Sequence, residues 1–183
     1  MPEYDEKKFK ELILYASEKL FDDPKFGATK LNKVLFFSDF LAFARLGKPI
    51  TGATYQKLEQ GPAPKQLLPA RDALVAQGDA EYVERAYFRN HTQKRIIPQR
   101  AADLSLFAAE EIAIVDEVIE DLRDRSATEV SELSHASVGW RIARLGDEIP
   151  YESALLSDEP LSEEDVERGQ ALAREHGWVA HSP

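Results

Sequence analysis

The chain contains no cysteine. That excludes a disulfide framework, a thiolate metal site and a cysteine nucleophile. Histidine is scarce too. His91, His135, His176 and His181 are scattered, with none three or four residues from another, so no helix presents an H-E-x-x-H pair. Long apolar runs are also missing. The richest stretch, Val34 to Ala44, is broken by Ser38 and Asp39 and falls short of the roughly 20 residues that span a bilayer. The opening residues, MPEYDEKKFKEL, lack the apolar region of a signal peptide. These absences predict a soluble, cytosolic protein without a membrane partner. In that compartment the NHT sequon at Asn90 carries no glycan. G-x-G-x-x-G, the P-loop pattern and G-x-S-x-G are absent as well. The expectation is no cofactor, no metal and no catalytic residue.

What is present suits a single domain with a short extension. The chain has 183 residues, 43% of them hydrophobic, enough to bury a core. Its charge is divided unevenly. Residues 1–100 carry 17 Lys and Arg against 13 Asp and Glu; residues 101–183 carry 6 against 20. An acidic half disfavours nonspecific nucleic-acid binding and favours a basic partner. Solubility alone would account for it equally well.

Apolar periodicity predicts a mainly α protein of about five to seven helices with a small β-hairpin or three-stranded β element. The first helix covers about Glu6 to Leu20, with Phe9, Leu12, Ile13, Ala16 and Leu20 inward and Glu11 on the solvent face. A second, apolar nearly all round and therefore buried, runs from a Thr29 cap to Leu46. An extended segment follows at Ala53 to Leu58, then a helix with Leu67, Leu68, Leu74 and Val75 inward. A hairpin is expected over Glu81–Phe88 and Lys94–Pro98. Further helices cover Ala109–Arg125, the stretch from the SATE capping box at Ser126 to His135, the region of Trp140 and Ile142, and a last segment from Ser162 to His176. LLSDEPLSEED reads as an acidic linker. LEQGPAP, Leu58 to Pro64, reads as a sharp turn in which Gly61 permits unusual angles and Pro62 and Pro64 set the entry to the next helix. Its prolines lack the N–H donors of a phosphate cradle.

Three features invite chemistry. Asp39 is a carboxylate inside the most apolar helix and needs a partner. An acid/base role is one reading; an ion pair or a bond to a tyrosine or backbone donor is the favoured one. Ser134 and His135 are neighbours on a helix and do not face each other, so His135 is expected to bond carbonyls at a helix end or pack near Trp140. Arg85, Arg89, Lys94, Arg95 and Arg100, with Tyr87 and Phe88 interleaved, form a run without acids. It could meet phosphates as a wing does, or be a solvated strand face or a surface docked on the protein's own acidic half.

KLNKVLFFSDF (Lys30–Phe40), GKPITGATYQKLEQGPAPK (Gly47–Lys65), LSLFAAEEI (Leu104–Ile112), SATEVSELSH (Ser126–His135) and EIPYESAL (Glu148–Leu155) occur in order. Together they resemble the Panacea domain of SocA-like antitoxins over about residues 5–156, leaving 157–183 as an acidic linker and helical extension. Ala108 stands where relatives often carry Ser or Thr, which weakens a helix cap. Asp39, Gly52, Tyr55, Gly61, Pro62, His135, Trp140 and Pro150 are the expected structural residues. The resemblance implies a mostly helical antitoxin, not an enzyme, that binds a toxin encoded beside it. One relative is thought to hand its toxin to a ClpXP-type AAA+ protease, which makes an adaptor role the alternative. A nucleic-acid-binding regulator using the third helix and the basic hairpin is the other. Toxin contacts do not transfer between relatives, and the oligomeric state stays open, a homodimer included.

Overall fold

The computed structural model describes residues 2–87, 91–156 and 163–175. Within them lie seven α-helices and two small antiparallel sheets, the mainly α architecture that the periodicity predicts. The helices are α1 (Glu6–Lys19), α2 (Ala28–Leu46), α3 (Leu67–Ala76), α4 (Ala109–Leu122), α5 (Ala127–His135), α6 (Val138–Ile142) and α7 (Glu163–Glu175). The strands are β1 (Tyr55–Leu58), β2 (Gly61–Pro64), β3 (Ala80–Tyr87) and β4 (His91–Pro98). Short 3₁₀ turns occupy Leu104–Leu106 and Tyr151–Leu155.

Helix α2 is the hub. It packs against α1, α4, α5, β2 and the Tyr151–Leu155 turn, which is why its sequence is apolar nearly all round. Leu31, Val34, Leu35, Phe36, Phe40 and Ala42 are all buried there. Helix α2 starts two residues earlier than expected, with Gly27 rather than Thr29 at the cap. Around it, Lys8 pairs with Glu111, Tyr15 bonds Asp116 and Arg45 pairs with Glu117, so part of the acidic half neutralises the molecule's own bases. Although Ala108 offers no cap, Glu111 still accepts from the Ala108 N–H at 2.8 Å, half of a capping box.

Several expectations need correction. Glu11 lies in the interior at 4% exposure, because Arg100 reaches it with two bonds of 2.7 and 2.8 Å. Leu68 and Val75 face out at 59% and 40% exposure; a ten-residue helix resting on one side has room inward only for Leu67, Ala70 and Leu74. The largest correction concerns LEQGPAP. Only Glu59 and Gln60 form the turn, and Gly61–Pro64 is a buried strand paired with β1 in the register Tyr55↔Pro64 to Leu58↔Gly61. Pro62 and Pro64 therefore belong to β2, and α3 begins later, at Leu67. Prolines are tolerated in such an edge strand because they remove ladder donors that have no partner to meet.

On its other side β1 is met by residues 146–149. Lys57 N–H donates to Asp147 O at 2.9 Å and Ile149 N–H to Tyr55 O at 2.8 Å, with a bridge between Gln56 and Glu148. Of the two expected forms, a hairpin or a three-stranded element, the hairpin holds: residues 146–149 add only a bridge to β1–β2, and the second hairpin, β3–β4, is separate.

Candidate functional site

Helix α2 carries three buried charges, Lys30, Lys33 and Asp39, and each is satisfied differently. Lys30 forms a fully buried ion pair with Asp23. Asp39, with 0% exposure, has no cation beside it among the described residues. Its Oδ1 accepts from the Thr51 N–H at 2.7 Å; its Oδ2 accepts from Thr51 Oγ1 at 2.6 Å and from the Tyr55 hydroxyl at 2.7 Å. Thr51 Oγ1 in turn accepts from Ala53 N–H, so its own proton is committed to Asp39. Tyr151 gives its proton to Ala53 O at 2.6 Å and only grazes the carboxylate at 3.5 Å. Burial pushes the Asp39 carboxyl up from its ordinary range, against the pull of these donors. Burial likewise pushes the Tyr55 and Tyr151 hydroxyls up. The network fastens α2 to the loop before β1. There Gly52 adopts φ 68°, and a Cβ would meet Glu3 O at 2.2 Å. Pro150 opens the turn that delivers Tyr151, its carbonyl accepting from Ser153 N–H and Oγ.

Six residues back along α2, Lys33 points to the opposite corner, where the β1–β2 hairpin meets α5 and α6. It is 2% exposed, and its Nζ donates to Pro62 O at 3.0 Å. Among the described residues no carboxylate pairs with it. Burial alone lowers its pKa to about 8. The His135 ring stacks on Trp140 at 3.9 Å and 15° and hydrogen-bonds the backbone of Glu59, while burial and the nearby Lys33 charge lower its pKa. Of the expectations for His135, packing on Trp140 holds, while its backbone partner lies in the β1–β2 turn and not at a helix end. Trp140 Nε1 donates to Leu58 O at 3.1 Å, and Lys57 Nζ lies 4.1 Å over the indole and donates to Ala143 O. The tip of the hairpin is thus pinned from several directions. Ser134 gives its proton to Ser131 O at 2.7 Å, and His135 Nε2 meets no hydrogen-bond partner among the described residues. They form no nucleophile–base pair.

Sequence reasoning missed Lys33. The argument that singled out Asp39, a charge inside an apolar helix, applies to it equally. An uncompensated buried ammonium has a measurable consequence. At pH 7 its depressed pKa costs up to about 3 kcal/mol, at 1.36 kcal/mol per pKa unit. An unfolded lysine keeps its proton until about 10.5, and the folded one releases it near 8. Between those values the unfolded chain binds more protons, so this term makes stability rise with pH. Lys33→Met is expected to stabilise the protein by about 1–2 kcal/mol at pH 7, allowing for the donor lost to Pro62 O. It should also abolish the gain between pH 7 and 9.5 in urea melts. The range stops at 9.5 because the raised Tyr55 and Tyr151 hydroxyls favour unfolding above about 10. Destabilisation by Lys33→Met at pH 7 would mean that the ammonium has a compensating partner.

Part of the basic run is spent on partners within the molecule. Arg95 donates to Leu20 O and Phe21 O and stands over the Phe21 and Phe26 rings. Arg100 holds Glu11 and Asp79. Lys94 pairs with Glu84 across the hairpin at 3.4 Å, Arg85 is exposed, and Arg89 lies outside the described residues. Apart from the adjacent Ala101 carbonyl on Arg100, the partners of Arg95 and Arg100 come from α1, its following turn and Asp79, not from the acidic half.

No described helix is long and apolar enough to cross a membrane. None of the curated proteins and none of the solved structures matches the chain. A family model described as antitoxin SocA-like, Panacea domain, matches residues 31–141, more than half of the chain, from the first turn of α2 to the penultimate residue of α6.

Proposed function

We propose that this chain, which belongs to the family of SocA-like antitoxins with a Panacea domain, neutralises a protein toxin encoded beside it by binding it directly. The family match carries this reading, since it spans Lys33, Asp39, Thr51 and Tyr55 and the pinned hairpin with His135 and Trp140. We assign residues 5–156 to the domain, because α1 and Tyr151 share the core with the matched segment. Those networks serve shape. They hold a scaffold whose surface does the work, and no step of chemistry is needed for a binding protein to block an active surface. The acidic half suits a partner that is basic where it meets RNA, nucleotide or membrane.

Co-expression in bacteria tests the reading. The product of the neighbouring gene should arrest growth alone and be harmless with this protein, and the two should co-purify. A neighbour that is harmless alone, or equally toxic in the presence of this protein, overturns it. Recognition of nucleic acid by the β3–β4 hairpin has less support, since Arg95 and Arg100 are spent on internal partners. Delivery to a AAA+ protease has no geometric observation behind it.

A further inference from the structure

A groove of about 440 Å³ opens between α2, α4, α5 and the Tyr151–Leu155 turn. Its walls include Phe37, Leu41, Val118, Leu133 and Ala154, and its charged residues are Asp121 and Arg125. The apolar surface does not stop at the rim. Leu133 is 41% exposed, and Leu155 and Leu156, next in the chain after Ala154, are 64% and 52% exposed. An apolar surface that runs past its own groove fits an extended partner better than a small ligand.

Charge chooses among the candidates. Arg125 turns its Nε to the backbone carbonyl of Asp121. The Asp121 carboxylate has no ion-pair partner among the described residues, nor has exposed Glu152, two residues before Ala154. Exposed Glu132 precedes Leu133. Elsewhere on α4 the acids Glu111, Asp116, Glu117 and Glu120 are paired and Glu110 stands at the far, N-terminal end, whereas round this groove Asp121, Glu132 and Glu152 outnumber the one lining cation, Arg125. Helix α7 lies close in sequence and leaves Val166 and Leu172 exposed. But Glu163, Glu164, Asp165, Glu167 and Glu175 outnumber its Arg168 and Arg174, so docking it would set acid against acid. A second copy across a two-fold axis would do the same, since an isologous interface brings one patch against itself.

We propose that this groove is the docking site for a basic amphipathic helix of the toxin, its apolar ridge seated on Phe37, Leu41 and Leu133 and its lysines or arginines facing Asp121, Glu132 and Glu152. Naming the toxin as its source rests on the antitoxin reading; the preference for a basic amphipathic helix rests on the groove itself. The seat follows the helix-in-groove mode, in which apolar anchors give affinity and rim charges give rate and orientation.

Two measurements test it. A labelled synthetic helix with leucines at i, i+3 and i+4 spacing and lysines between is titrated into the full-length protein. A peptide of residues 163–175 serves as the acidic comparison. The basic helix should bind saturably and more weakly as salt rises. Leu133→Gln should weaken it at least about tenfold, Leu133→Met should not, and Asp121→Lys with Glu152→Lys should weaken it and flatten the salt dependence. Equal binding to Leu133→Gln overturns the proposal, as does tighter binding of the 163–175 peptide. A concentration-dependent dimer abolished by Leu133→Gln would assign the groove to self-association and also overturn it. In co-expression, the unaltered protein should protect against the neighbour's product while Leu133→Gln and the double lysine variant fail to. Equal protection by all of them removes the groove and leaves the antitoxin reading standing. No protection by the unaltered protein removes that reading, and the peptide titration still judges the groove.

Discussion

Gly61→Val should lower the melting temperature by roughly 10–15 °C, at about 2–4 °C per kcal/mol for a chain of this size, and deplete the soluble protein. Two independent costs add. Gly61 adopts φ 97°, a region that a β-branched residue enters only with strain of about 1–3 kcal/mol. Its Cβ would also stand 2.3 Å from Ser134 Oγ and 2.8 Å from Lys33 Cε and Nζ. Repacking two buried side chains, one of them already an uncompensated ammonium, adds about 1–3 kcal/mol. Neither Glu59 nor Gln60 has positive φ, so the twist that two-residue hairpin turns ordinarily require is supplied by the residue after the turn. Gly61→Ala should cost less, and combining it with Ser134→Gly should recover the steric part but not the backbone part, a coupling that urea melts of the four proteins would isolate. A Gly61→Val protein with the parent's melting temperature and a selective loss of toxin neutralisation would instead make the hairpin tip a working surface.

That position also marks how far the sequence could be read. Periodicity sufficed for α1 and α4, because each presents a long apolar face to one core and a 3.6-residue pattern over three turns or more has few competitors; α2 was legible from an apolar stretch all round it that is too long for a strand. The SATE box placed the start of α5, where Ser126 and Glu129 exchange their bonds, because a cap is a local chemical event. LEQGPAP reads as a turn leading into a helix, whereas its turn leads into a strand. Two prolines in four residues argue against a strand unless its edge has nothing to pair with, and that is a fact about neighbours on the far side of the chain. Glu11 was misplaced for the same reason. Its partner Arg100 lies 89 residues away, and without it a glutamate on an amphipathic helix belongs in water. The groove left no sequence signal at all, since its walls come from α2, α4, α5 and the Tyr151–Leu155 turn, and a surface assembled from four elements has no period.

Asp39→Ala should be the most damaging single truncation on α2. It leaves the Thr51 N–H, the Thr51 hydroxyl and the Tyr55 hydroxyl without their acceptor in a site closed to water. An orphaned buried donor costs about 1–3 kcal/mol. Even with the two hydroxyls turning to other acceptors, a loss of about 4–5 kcal/mol is expected, a large share of the roughly 5–15 kcal/mol of a typical domain. Asp39→Asn tests the same site more gently. The amide keeps one oxygen as acceptor, but its NH₂ must face donors, so about 2–3 kcal/mol should go. The pairing also decides between scaffold and chemistry. If Asp39 only joins α2 to Thr51 and Tyr55, neutralisation of the toxin should track the folded fraction in both variants and return when the temperature is lowered. The residue's pH dependence has a definite sign as well. A carboxyl whose folded pKa is raised favours the folded state while protonated and loses that advantage as pH rises through the folded value. Asp39→Asn should therefore lose least, relative to the parent, on the alkaline side of that transition. Full stability in Asp39→Asn together with loss of neutralisation at every temperature would contradict the structural role and return Asp39 to the list of acting groups.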